Sequence, residues 1–160
     1  MSAAHSTARI PLLWLFLTLC LLLPEAHALT RLDENTPPID LQDVASYLED
    51  PQAAMSLAEV QADTASFLPA HARDGLGFGY VDGVVWLRLE LQSIAQVPLY
   101  WRLELNYASL DEVRLYDVAA GTVREARSGD TVPYRERAIG HRNPVFEISL
   151  QPGEQRTLYL

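Results

Sequence analysis

In the stretch VVWLRLELQ, Val84 to Gln92, alternate positions hold Val85, Leu87, Leu89 and Leu91, and the positions between them hold Trp86, Arg88 and Glu90. Two further stretches repeat the arrangement. PLYWRLELNY sets Tyr100, Arg102, Glu104 and Asn106 opposite Leu99, Trp101, Leu103, Leu105 and Tyr107. LDEVRLYDV sets Arg114 and Tyr116 opposite Val113 and Leu115. Period two is the mark of a half-buried strand, so one face is apolar and the other gathers rings, guanidinium groups and carboxylates. Rings stack on the apolar faces of sugars, arginine and asparagine bond hydroxyls, and a guanidinium clamps a carboxylate at two points. Trp86, Arg88, Tyr100, Arg102 and Tyr116 are accordingly candidate ligand-binding residues. The same face also reads as solvated sheet with weak cross-strand Arg–Glu pairs, and Trp86 as an indole packed beneath the amino-terminal segment.

A second cluster, PYRERAIGHRNP, holds Tyr134, Arg135, Arg137, His141, Arg142 and Asn143 in a loop. Arg137 and Arg142 are candidates for gathering an anionic group, or for offsetting a net acidic body. Other chemistries find little support. Asp33-Glu34 and Asp111-Glu112 are adjacent carboxylates, and neighbours on a strand point to opposite faces, so neither pair can flank a glycosidic bond. There is no G-x-S-x-G elbow. Gly75, Gly77, Gly79 and Gly83 have the wrong spacing for a dinucleotide fingerprint, with a strand where a helix would follow. No metal and no cofactor is expected, since His71 and His141 are the only histidines after residue 28 and no cysteine joins them.

These faces need elements to position them. Leu29 to Pro38 reads as an extended lead-in. IDLQDVASYLED predicts a short strand at Ile39–Leu41, then a short helix capped by Asp43 with Val44, Tyr47 and Leu48 on its apolar face. SLAEVQADTASF predicts a second helix, with Ser56 and Glu59 in capping-box spacing. Beyond Phe67 period two takes over. Asp82-Gly83 predicts a hairpin between GFGY and VVWLRLELQ, and Ala120-Gly121 a turn into TVREAR. SGDTVPYRER is loop-like, and NPVFEISL and QRTLYL are strands joined by QPGE. Short strands at regular spacing make an antiparallel all-β sandwich or barrel. TLYL ends the chain within an apolar strand, which reads as an unpaired strand and a domain truncated at its C-terminal strand.

The chain has 160 residues and a formal charge of −9. Its acidity disfavours nucleic acid as a partner. After Arg9 the apolar run IPLLWLFLTLCLLL, Ile10 to Leu23, is shorter than the roughly 20 residues of a membrane span. Pro24 and the small-residue pattern Ala26-His27-Ala28 follow it, so residues 1–28 read as a signal peptide cleaved after Ala28. That removes Cys20 and leaves an exported domain, 29–160, with no cysteine and hence no disulfide. All basic side chains are arginine, as a GC-rich bacterial genome would encode, and the destination is then the periplasm.

The ordered set IDLQDVASYLED (39–50), SLAEV (56–60), VVWLRLELQ (84–92), WRLELNYASLDEVRLYD (101–117), SGDTVPYRER (128–137), NPVFEISLQPG (143–153) and TLYL (157–160) resembles the second type of extracellular sensor domain of bacterial seven-transmembrane receptors with diverse intracellular signalling modules. The resemblance implies a periplasmic jelly-roll β-sandwich similar to carbohydrate-binding modules. It implies a transmembrane region beyond the present C-terminus and a cytoplasmic output, a diguanylate cyclase or a histidine kinase. The expected function is sensing of a small polar ligand: a carbohydrate, an amino acid or an organic acid. No catalysis is expected in this segment. A protein–protein or homodimerisation module is the alternative, and a glycoside hydrolase the weakest reading.

Overall fold

A computed structural model describes residues 29–73 and 76–160; the expected signal peptide and its cleavage point at Ala28 lie outside the described residues. The chain forms β1 (Thr30–Leu32), α1 (Leu41–Val44), β2 (Ser46–Asp50), α2 (Leu57–Ala62), β3 (Leu68–Pro69), β4 (Val84–Ser93), β5 (Leu99–Glu104), β6 (Val113–Ala119), β7 (Thr122–Ser128), β8 (Val145–Leu150) and β9 (Gln155–Tyr159), with short 3-10 turns at Thr64–Ser66, Ala70–Ala72 and Tyr134–Glu136. The larger sheet runs β3-β2-β4-β9-β6-β7, with β1 parallel to the end of β4; β5 and β8 form the second sheet. This is the all-β sandwich that the strand spacing predicts.

The alternation places the core. Leu87, Leu89 and Leu91 of β4, Leu115 of β6 and Leu158 of β9 are buried against Leu99 of β5 and Phe146, Ile148 and Leu150 of β8, with Leu103 and Leu105 packed at the margin. A second, smaller core lies on the opposite face of the larger sheet. There Trp86 and Tyr159 meet Val60 of α2 and Phe67 behind it. The larger sheet is therefore covered on both faces, which makes three layers where the polar outward positions predict two.

Several local expectations change. Residues 46–50 are strand rather than helix, and the helix is one turn, capped by Asp40, whose carboxylate accepts from Gln42 N–H at 3.1 Å. Tyr47 enters the main core and Leu48 the second one. Adjacent apolar residues serving opposite faces of one strand mimic a helical spacing, and pairing of Ser46–Asp50 with Val84–Arg88 decides the matter. The predicted second helix stands, with the Ser56–Glu59 capping box formed. Asp82-Gly83 closes no hairpin, because β4 pairs with β2; Gly83 instead lies against the backbone of Asp50 and Pro51, where a Cβ would collide. Ala120 (φ 47°) and Gly121 (φ 80°) make the β6–β7 turn with both central residues at positive φ. The final strand is not an exposed edge: β9 is hydrogen-bonded to β4 on one side and β6 on the other, and Leu158 is fully buried.

Candidate ligand-binding site

β4 and β6 lie in one sheet and β5 in the other, so the outward faces that the alternation predicts look in opposite directions. The expectation of one aromatic and polar face built from Trp86, Arg88, Tyr100, Arg102 and Tyr116 is thereby corrected. Inward positions were legible from parity, but sheet membership was not.

Trp86, Arg88 and Tyr116 form one group. The Trp86 indole is 7% exposed and stacks on Tyr116 with ring centroids 5.9 Å apart. Trp86 thus packs beneath the amino-terminal segment. The Asp50 carboxylate accepts from the backbone of Met55 (2.8 Å) and Ala54 (3.2 Å), and these donors, Met55 first, hold its pKa below the usual value. Arg88 is buried, ion-paired with Glu90, with its guanidinium 5.9 Å from the centre of the Phe67 ring. Burial pushes the Tyr159 phenol up, an effect that the Arg88 charge opposes. Glu90 and the Phe67 ring both lie against the Arg88 cation under α2.

Tyr100 and Arg102 stand on the outer face of the second sheet. The Tyr100 ring is 82% exposed. Arg102 is exposed opposite Glu147 in the β5–β8 register. Beyond it, Asn143 is buried just before β8 and its amide donates to Glu104 Oε1 at 2.6 Å and to Asn106 Oδ1 at 3.1 Å. The Asn143 N–H donates to His141 Nδ1 at 3.2 Å. Tyr100, Arg102, Glu104, Asn106 and Asn143 thus line one polar strip, which continues to the exposed Arg142. Arg102 and Arg142 have no ion pair or side-chain hydrogen bond among the described residues.

Arg137 is differently placed. Its guanidinium donates to the carbonyls of Val132 (3.0 Å), His141 (3.1 Å) and Asp130 (3.4 Å) and lies 5.7 Å from the Tyr134 ring centre. Tyr134 in turn donates to Gly140 O at 2.6 Å. Arg137 ties the loop together, and that loop carries Arg142 and Asn143 to the end of the strip.

Two groupings escaped sequence reasoning. The Glu104–Asn143 bond needs the β5–β8 register, which nothing local encodes. The other is Arg156, which donates to Asp117 at 2.5 Å and Glu154 at 3.0 Å. Asp117 falls on the inward parity of Val113 and Leu115, and an acid at such a position signals a buried cation. Among the described residues no three His, Cys, Asp or Glu side chains come together to hold a metal.

The β-sandwich thus turns an aromatic and hydrogen-bonding strip of its two-stranded sheet toward solvent. The model of the family 7TMR-DISM extracellular 2 matches residues 42–160, and the chain belongs to that family. It is thus an extracellular sensor domain of the seven-transmembrane receptor class, placed on the periplasmic side of the membrane. Curated proteins yield no match.

Proposed function

We propose that this domain senses a small polar ligand, a carbohydrate in the first instance, at the outer face of β5 and β8. The observation that carries the reading is the Tyr100 ring, 82% exposed beside the exposed Arg102 on the outer face of the β5–β8 sheet. An exposed ring is a stacking platform for a sugar face, and the Asn143 amide, held by Glu104 and Asn106, orients hydrogen-bonding groups before ligand arrives. Arg102 and Arg142 then bond hydroxyls, or clamp a carboxylate on an acidic sugar. Ligand that binds one arrangement of sandwich and membrane helices better than another shifts the receptor between them, and a diguanylate cyclase or histidine kinase reads the shift.

The test is thermal stabilisation by a panel of neutral and acidic oligosaccharides. A binding saccharide raises the melting temperature, and Tyr100→Ala or Arg102→Ala removes that rise without lowering the melting temperature of the free domain. Loss of the rise in neither variant sinks the assignment of this face.

A second reading, self-association, is favoured by one observation. Among the described residues β5 and β8 have only each other as partners, and Ile94 and Val97 stand half exposed just before β5. Sedimentation velocity decides it: a concentration-dependent dimer lost on Val97→Lys supports pairing through this edge, and a monomer at every concentration removes it.

A further inference from the structure

β7 closes one side of the larger sheet and, among the described residues, pairs only with β6. Beside it, between its outer edge and the turn at Tyr134–Glu136, lies an open cleft of about 400 Å³ lined by Glu125, Ala126, Arg127, Glu136 and Ala138. That volume is at the low end of small-molecule sites, which run from about 300 to 1,000 Å³. The cleft is separate from the β5–β8 strip.

Its polar groups are specific in kind. The Arg127 carbonyl points away from β6, since it accepts from Ala138 N–H at 2.8 Å. Strand backbone repeats every second residue, so the N–H of Arg127 and both the N–H and C=O of Glu125 face the same way, into the cleft. Glu125 and Arg127 are exposed, and neither side chain has an ion pair or hydrogen bond among the described residues. Among the described residues the Glu136 carboxylate has only a long contact of 3.6 Å with the exposed Arg135. Arg127 also stands directly opposite Arg114, whose guanidinium is taken by Glu112 at 2.7 Å. Two cations face to face across a ladder repel. Glu112, whose carboxylate feels the charge of both arginines, offsets part of that repulsion, and an anion beside Arg127 offsets more.

We infer that this cleft binds a free α-amino acid, or a small zwitterion of the same shape. The carboxylate is taken by the Arg127 guanidinium and the free N–H groups of the β7 edge. The ammonium is taken by Glu125, Glu136 and the Glu125 carbonyl. An amino acid lying along the edge thus repeats the donor–acceptor order of one more strand residue. A dicarboxylic acid meets two glutamates, a simple amine meets Arg127, and a neutral sugar finds no aromatic ring in the lining. The charge pattern selects a ligand carrying both signs.

The experiment is a titration of the nitrogen-labelled chain with the standard L-amino acids, followed by backbone amide resonances, with acetate and methylammonium as half-ligands. At least one amino acid is expected to shift Glu125, Ala126, Arg127 and Ala138 saturably, and neither half-ligand alone. Arg127→Gln and Glu136→Gln, both at exposed positions, each weaken binding by roughly tenfold or more, the loss of a charged hydrogen bond, while Tyr100→Ala leaves it unchanged. The inference is overturned if no amino acid moves these amides, or if both cleft variants bind as tightly as the parent. Shifts confined to β5 and abolished by Tyr100→Ala also overturn it, and leave the sensor reading of the β5–β8 face standing. Amino-acid binding in the cleft without saccharide binding does the reverse.

Discussion

Truncating Trp86 leaves a hole between Tyr116, Val60 and Phe67 that the surrounding sheet cannot close, because β4 is fixed by ladders on both sides. Trp86→Ala is expected to cost about 3–5 kcal/mol in denaturant unfolding, the range for large aromatic deletions from a core. A loss under 1 kcal/mol would mean that the indole is not packed as described. Arg137 and Arg142 make a contrasting pair. Arg137→Ala removes three donors to loop carbonyls and should lower the melting temperature and speed proteolysis between residues 130 and 143. Arg142→Ala, at an exposed side chain, should stay within about 0.5 kcal/mol of the parent. The residue types of both were legible as an arginine-rich loop. Which arginine holds the loop and which is left to meet solvent depended on carbonyl positions, and sequence carries no record of those.

At the level of elements, the segment over the second core rests on a short helix whose start is well specified. Ser56 Oγ accepts from Glu59 N–H at 3.4 Å, and the Glu59 carboxylate accepts from Ser56 N–H at 2.7 Å. Ser56→Ala should cost about 0.5–2 kcal/mol, as N-cap losses do. If unfolding is local, protection of the Val60 and Phe67 amides from exchange should fall before that of β4 and β9. The β6–β9 pairing is joined by Arg156 and Asp117, each with a side chain 10% exposed. Asp117→Asn leaves the buried guanidinium with Glu154 as its remaining carboxylate and should cost less than the roughly 3–5 kcal/mol of a fully unpaired buried charge, while Asp117→Asn combined with Glu154→Gln should approach that figure. The capping box was readable because its two residues lie three apart. The ion pair joins residues 39 apart, and only the order β9-β6 brings them together.

Across the whole molecule, the carboxyl groups set the acid limit. Hydrogen-bond donors lower the pKa of Asp33, Asp50, Glu59, Glu112 and Glu154 relative to ordinary values of 3.8 for Asp and 4.5 for Glu. Thr36 is the main cause for Asp33, Met55 for Asp50, Ser56 for Glu59 and Arg114 for Glu112; at Glu154 desolvation opposes the lowering by Gln151 and Arg156. A depressed folded-state pKa means that the unfolded chain binds more protons in the window between the two values. Stability is therefore full above the ordinary carboxylate range and declines as pH falls through it toward the lowered values. Urea midpoints should be flat from pH 7 to about 5 and drop below about 4.5, and Asp50→Asn should lower the midpoint at neutral pH while reducing the acid-induced drop. A midpoint that rises on acidification would contradict the hydrogen bonds assigned to these groups.

The sequence by itself determined the strands from Val84 onward, their inward leucines, the β6–β7 turn and the second helix, because each is encoded by neighbours two to four residues apart. It also supplied Tyr100 and Arg102 as outward residues of β5. Only the tertiary structure decided that β5 leaves the sheet of β4 and β6, that Trp86, Arg88 and Tyr116 lie under α2, and that residues 46–50 are strand. The physical reason is that parity says which residues share a side of one strand, while the partner of that strand and whatever covers its other side are set by contacts between distant segments.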